Sequence, residues 1–174
     1  MQTPSHDVIE PQRTAEHGRL PDTLVVFVLA GQVFGVDVCH VREILDRQKT
    51  TRLPNAAADC VGVIDTRGQS IPVIDLCRRF ALPTSEPGPD TRIIVFEMTG
   101  PEGTRALGTL ADRVLGVVPI DPEEIEPAPT AAFEGLHRGA VQGLLRRDGD
   151  LVTLICVPRV FADLAPELLA GTAA

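Results

Sequence analysis

The sequence predicts a mainly β protein built as two similar small barrels, and three observations predict it. First, β-branched runs are interrupted by polar turns that carry glycine, most clearly where Val61 to Ile64 and Ile71 to Ile74 flank a short segment holding Arg67-Gly68. That is the pattern of a hairpin whose glycine supplies a positive φ. Second, the chain repeats itself. Phe34-Gly35 matches Leu107-Gly108, Val41 matches Val114 and Pro54 matches Pro127, all at a spacing of 73 residues (35 to 108, 41 to 114, 54 to 127). Val25-Val26-Phe27 matches Ile94-Val95-Phe96 at 69 (25 to 94) and Gly62 matches Gly143 at 81 (62 to 143), so the differences fall in loops, where length is tolerated. Third, a chain of 174 residues buries roughly 70% of its unfolded surface, enough for a core without disulfide or metal.

Taken in order, residues 1–22 hold Pro4, Pro11 and Pro21 among polar residues and read as a flexible tail. Leu24 to Leu29 is a continuous apolar strand, separated by Gly31-Gln32 from a second strand at Val33 to Val36. Val38, Val41, Ile44 and Leu45 fit either a short amphipathic helix or a bent strand. Asn55 is expected to cap a single turn through Ala56 to Asp59, ended by Gly62. In the central hairpin Pro72 donates no ladder hydrogen bond, so the returning strand needs a stretch at a sheet edge or a bulge. Asp75 is placed to cap a helix from Leu76 to Leu82, stopped by Pro83. Residues 83–91 carry three prolines and a glycine and form a surface connection. The chain then starts again with strands at Ile93 to Phe96 and Ala106 to Leu110, around a turn at Gly100 to Gly103. Asp121-Pro122-Glu123-Glu124 marks a short helical turn. Val141 to Leu145 and Leu151 to Ile155 form a last hairpin around Asp148-Gly149.

Composition excludes several function classes. A net charge of −8 argues against binding to phosphate backbones, and the absence of Trp and Tyr removes the stacking platforms of single-strand nucleic-acid binders. Cys39, Cys60, Cys77 and Cys156 have no CxxC spacing and are expected as buried free thiols in a reducing cytosol. Cys39 is read as a core cysteine beside a surface histidine, His40, because neighbours on a strand point to opposite faces. None of the three serines, Ser5, Ser70 and Ser85, lies in a GxSxG context. HExxH, P-loop, GxGxxG and EF-hand patterns are missing, so neither an enzyme nor a metal or cofactor site is expected. No long apolar run or export signal is visible, which places the protein in the cytoplasm.

The succession Phe27 to Val36, Val41-Arg42-Glu43-Ile44, Leu53-Pro54, Val61-Gly62-Val63-Ile64, Arg67-Gly68, Ile71-Pro72-Val73-Ile74-Asp75-Leu76, Ile93 to Phe96, Leu107-Gly108 and Asp112-Arg113-Val114 resembles the CheW family of bacterial chemotaxis coupling proteins. The resemblance runs from about Leu24 to Phe161. It implies two intertwined five-stranded SH3-like β-barrels with a few short helices. The CheW-like domain would span 23–165, with a first barrel over about 33–90, a second over about 91–155, exchanged end strands, and a C-terminal tail over 166–174. It further implies a non-enzymatic adaptor, without cofactor, joining the cytoplasmic tips of chemoreceptors to the histidine kinase CheA.

Carried over by motif, the receptor-facing positions are Val41 and Glu43 in Val-Arg-Glu-Ile, Gly62 in Val-Gly-Val, Arg67 at the hairpin tip, and Val114 as the repeat partner of Val41. A receptor's helical tip would lay an apolar face between Val41 and Val114 while Arg67 holds a carboxylate. Such a groove gives micromolar binding, about −8 kcal/mol, suited to an array of many weak contacts. The bland readings are Val41 as core, Glu43 as a solvated charge and Gly62 as a conformational residue. No position marks the kinase-facing surface. The chain departs from the family at Thr66, Cys77 and Cys156, the last replacing a helix cap at a cost of about 1 kcal/mol and leaving the 157–164 segment prone to fray. A rival class is a stand-alone barrel that binds a ligand or regulates an enzyme through a reactive Cys39 or Cys77.

Overall fold

The computed structural model describes residues 19–129 and 139–164. Most of the proposed N-terminal tail and all of the C-terminal one lie outside the described residues. The elements in chain order are β1 (Thr23–Leu29), β2 (Gln32–Asp37), β3 (Val41–Asp46), β4 (Cys60–Thr66), β5 (Gln69–Ile74), α1 (Leu76–Arg79), β6 (Arg92–Gly100), β7 (Gly103–Ala111), β8 (Arg113–Pro119), β9 (Val141–Arg147), β10 (Asp150–Ile155) and α2 (Val157–Val160).

The strands form two five-stranded sheets, in the orders β8-β1-β2-β10-β9 and β3-β6-β7-β5-β4. Each sheet takes its opening hairpin from one half of the repeat and its other three strands from the other half. Each hairpin joins the other half on two sides: antiparallel where β1 meets β8 and β6 meets β3, and parallel where β2 lies beside β10 at Val33 to Val36 and β7 beside β5 at Gly108 and Thr109. The connection near residue 90 therefore separates the halves of the repeat without separating the sheets. Asp22 O accepts from Ile120 N, so the chain is already fastened one residue ahead of β1.

Alternation explains the unbroken apolar runs. Leu24 and Val26 of β1 face a small cluster with Leu145, Val152 and Leu154 inside the first sheet. Val25, Phe27 and Leu29 face the large central cluster. On β6, Ile93 and Val95 turn into the second sheet's own cluster while Ile94 and Phe96 join the central one. Both faces of these strands are covered, so no polar alternation is needed. The central cluster carries ring pairs in both halves, Phe34 with Phe80 at 5.8 Å and Phe96 with Phe161 at 6.0 Å.

Several local expectations are corrected. Residues Val38–His40 form one 3-10 turn and Val41 opens a strand, which settles the choice between helix and bent strand. That turn breaks strand alternation, and Cys39 is exposed rather than core, its amide held by the Asp37 carboxylate at 3.0 Å. Helix α1 is capped by Asp75 as expected but ends at Arg79. Ala81 there takes a left-handed φ of 55° and Leu82 N donates to Cys77 O, so the chain leaves the helix before reaching Pro83. The single turn expected over Ala56 to Asp59 is centred on Ala58 and Asp59, closed by Cys60 N donating to Ala57 O, and Gly62 does not end it but lies inside β4. Helix α2 has no side-chain cap at Cys156 and is four residues long. Pro72 sits opposite Val63, just ahead of the two residues through which β5 meets β7, so its missing donor faces an unpaired stretch.

Candidate docking site

The turn between β4 and β5 has two residues, with Thr66 opposite Gln69, and both have positive φ: 54° at Arg67 and 75° at Gly68. This is a type I′ turn, whose twist matches that of the flanking strands. Asp148-Gly149 between β9 and β10 has the same shape, at 50° and 85°. Asp tolerates the left-handed conformation well, whereas Arg gains nothing from it locally. The conformation projects the Arg67 side chain into water, where it is 76% exposed.

Arg67 Nη2 reaches back to β3 and lies 3.3 Å from Glu43 Oε2. Glu43 is only 14% exposed, and its Oε1 lies 3.6 Å from Arg42 Nε. Arg42 in turn donates from Nη1 to Gln69 Oε1 at 2.9 Å. Glu43 is thus not a solvated charge. Neighbours on a strand ordinarily face opposite ways, yet Arg42 and Glu43 both reach the same hairpin tip. A bulge makes this possible: Val41 lies opposite Phe96 and Glu43 opposite Val95, leaving Arg42 as the extra residue. Because the Arg67 guanidinium faces water, its ion pair adds only about 0.2–1 kcal/mol to stability. Its larger effect is to hold the exposed Arg67 guanidinium against this corner, while Arg42 ties the same carboxylate to Gln69.

Of the five expected site residues, Glu43 and Arg67 are in contact. Val41 is two residues from Glu43, partly buried against the central cluster, and Val114 packs against the same cluster from β8, opposite Phe27. Gly62 is not at this corner. Its φ is 147°, and a Cβ there would lie 2.8 Å from the Thr51 carbonyl carbon, where Thr51 bridges to Val63. Gly143 repeats the device under the bridge from Glu126 to Leu144, with a Cβ position 2.7 Å from Glu126 O. Gly62 makes room for a crossing backbone. These bridges also place Pro54 level with Pro129, not Pro127, since the bridging residues are 75 apart (51 to 126). Sequence reading missed Arg42 and Gln69, which flank the expected residues in the chain but join them only through the bulge and the two-residue turn.

The thiols divide sharply. Burial, with the Asp75 and Asp112 carboxylates nearby, pushes the Cys77 thiol up to about 11, and burial also raises Cys60. A thiol held protonated is a poor nucleophile, which removes half the basis of a thiol-regulated barrel. No group of three or more His, Cys, Asp or Glu is arranged to hold a metal among the described residues. No helix among them is long and apolar enough to cross a membrane.

Residues 23–165 match the family model of the CheW-like domain. The chain is 30% identical over 138 residues to the chemotaxis protein CheW of Rhizobium meliloti, covering 79% of this chain and 86% of that one. It is 31% identical over 137 residues to that of Bacillus subtilis, covering 77% and 83%. The crystal structure of the scaffolding protein TtCheW from Thermoanaerobacter tengcongensis superposes with a TM-score of 0.69 at 33% identity, covering 83% of this chain and 90% of that one. Paired five-stranded sheets, the match across nearly all the described residues and the likeness to these proteins lead to one conclusion: the chain belongs to the CheW family of chemotaxis adaptor proteins.

Proposed function

We propose that this chain couples chemoreceptors to the histidine kinase CheA, working in the cytoplasm at membrane receptor arrays and making or breaking no bond. The observation that carries this reading is the corner formed by Glu43, Arg67, Arg42 and Gln69 in a chain of this family. The receptor tip expected of this family's partners is a helical hairpin that presents an apolar face. Its apolar side would lie along Val41 and Val114, and one of its carboxylates would take the outward edge of the Arg67 guanidinium, which the Glu43 contact leaves in water. Glu43 would act as a positioning residue, fixing the angle at which Arg67 is offered.

The test is binding of a purified receptor cytoplasmic domain, and separately of CheA, to the wild-type chain and to Arg67→Glu, by calorimetry at fixed ionic strength. Receptor affinity is expected to fall at least tenfold while kinase affinity and the fold stay unchanged. Equal receptor binding by both proteins removes Arg67 from the site. Loss of both partners at once would point to a folding defect and away from a local contact.

A further inference from the structure

The repeat supplies a comparison that isolates one unusual cation. In the first half, Arg78 on α1 donates from Nη1 to Ala58 O at 3.0 Å, and its Nε is 3.4 Å from the Asp75 carboxylate. The spacing of 81 that relates Gly62 to Gly143 carries Arg78 to Arg159, Ala58 to Gly139 and Asp75 to Cys156. Arg159 on α2 crosses the same backbone position: a Cβ on Gly139 would lie 2.8 Å from its Cζ. Where Arg78 has the Asp75 carboxylate, however, Arg159 has the Cys156 side chain. Among the described residues the Arg159 guanidinium has no ion pair and no side-chain hydrogen bond.

This cation lines an open depression of about 250 Å³, together with Gln142, Cys156, Gly139, Arg19 and Leu20. Arg19 is already balanced by Asp22, 3.2 Å away. Among the described residues the uncompensated charge lining the depression is that of Arg159, a single positive charge that one carboxylate would balance. The Gln142 amide offers a second donor, and Leu20, 39% exposed, offers apolar contact for the stem of a ligand.

We propose that this depression on the second half accepts the carboxylate of an acidic side chain from a docked protein segment, with Arg159 as its counter-ion. It lies on other elements than the Arg67 corner and does not depend on what that corner binds.

Two-dimensional NMR titration of the full chain tests it, using capped glutamate (N-acetyl, C-amide), the equally capped glutamine, inorganic phosphate, and the capped pentapeptide Gly-Leu-Glu-Leu-Gly, all at matched ionic strength. Capped glutamate is expected to shift Gly139, the Gln142 side-chain amide and Arg159 Nε–H saturably, at a dissociation constant on the order of 1 mM. The pentapeptide should bind at least threefold tighter. Arg159→Gln should weaken both at least tenfold, Arg159→Lys should retain binding within about fivefold, and Arg78→Gln should change neither. Equal shifts from capped glutamine, no saturation, or unchanged binding by Arg159→Gln overturns the proposal. Tighter binding of phosphate overturns the carboxylate, and a pentapeptide no tighter than capped glutamate overturns the protein segment.

Discussion

The corner around Arg67 and its counterpart in the second half share one backbone and almost no chemistry. Arg42 and Glu43 correspond to Leu115 and Gly116, and Arg67 and Gln69 to Asp148 and Asp150, by the spacings of 73 and 81. Both halves keep the bulge, with Leu115 skipped between Val114 opposite Phe27 and Gly116 opposite Val26. Both keep the two-residue hairpin. In the first half the bulge feeds a network of charges. In the second it leaves Leu115 and Val117 in water, 48% and 56% exposed. The two halves share the frame, and the difference between them lies in what each presents to solvent.

The strongest way to break the comparison is at Arg79, whose place in the second half is taken by Val160. Its side chain is 5% exposed, donates to Val160 O at 2.7 Å, pairs with Asp59 and Asp163, and lies 5.6 Å over the Phe161 ring. Arg79→Ala strands a mostly buried Asp59 and should lose about 3–4 kcal/mol in urea unfolding. Next come the crossing glycines. Gly62→Ala should cost about 3 kcal/mol, since it combines a backbone clash with a positive φ, and Gly143→Ala about 2 kcal/mol from the clash alone. Equal losses would show that φ contributes nothing. Replacing the first tip by the second, Arg67→Asp, should change stability by less than about 1 kcal/mol, because a better turn residue offsets a lost surface pair. The smallest effect concerns pH. Cys77 in the native state holds its proton up to about 11, against an ordinary 9.0 in the unfolded chain. The unfolded chain loses that proton first, so the contribution is complete below about pH 9 and is lost as pH rises towards 11. Stability of Cys77→Ala, measured over pH 8–11, should fall less steeply than that of the wild type.

Much of this was legible in the chain because hairpins announce themselves locally. Asp148-Gly149 and Arg67-Gly68 mark turns, and β-branched runs mark the strands beside them. The repeat was legible for the same reason, since it needs only matching residues at matching intervals. Three things escaped. Ala81 adopts a left-handed conformation that no side chain advertises, so α1 ends early. The bulge at Arg42 is decided by how β3 meets β6, and with it goes the network that Arg42 and Gln69 complete. Cys39 is exposed because a single 3-10 turn interrupts the strand, and three residues carry too little periodicity to betray it. The pairing of β2 with β10 and of β7 with β5 is likewise a long-range choice. At that join a Cβ on Gly108 would meet Ile93 Cγ2 at 3.1 Å and Val73 Cγ2 at 3.4 Å, so the glycine relieves crowding from both neighbouring strands.

That exchange of opening hairpins makes the halves mutually obligate. Cut at residue 90, each fragment would keep a two-stranded ribbon with nowhere to dock and a three-stranded remnant lacking its middle. Neither would shelter its own apolar interior, but mixed together they should rebuild the native molecule as a non-covalent pair. The same geometry describes how such a chain would arise: two identical subunits that traded hairpins, later fused into one gene, and thereafter free to let one face become charged while its twin became greasy.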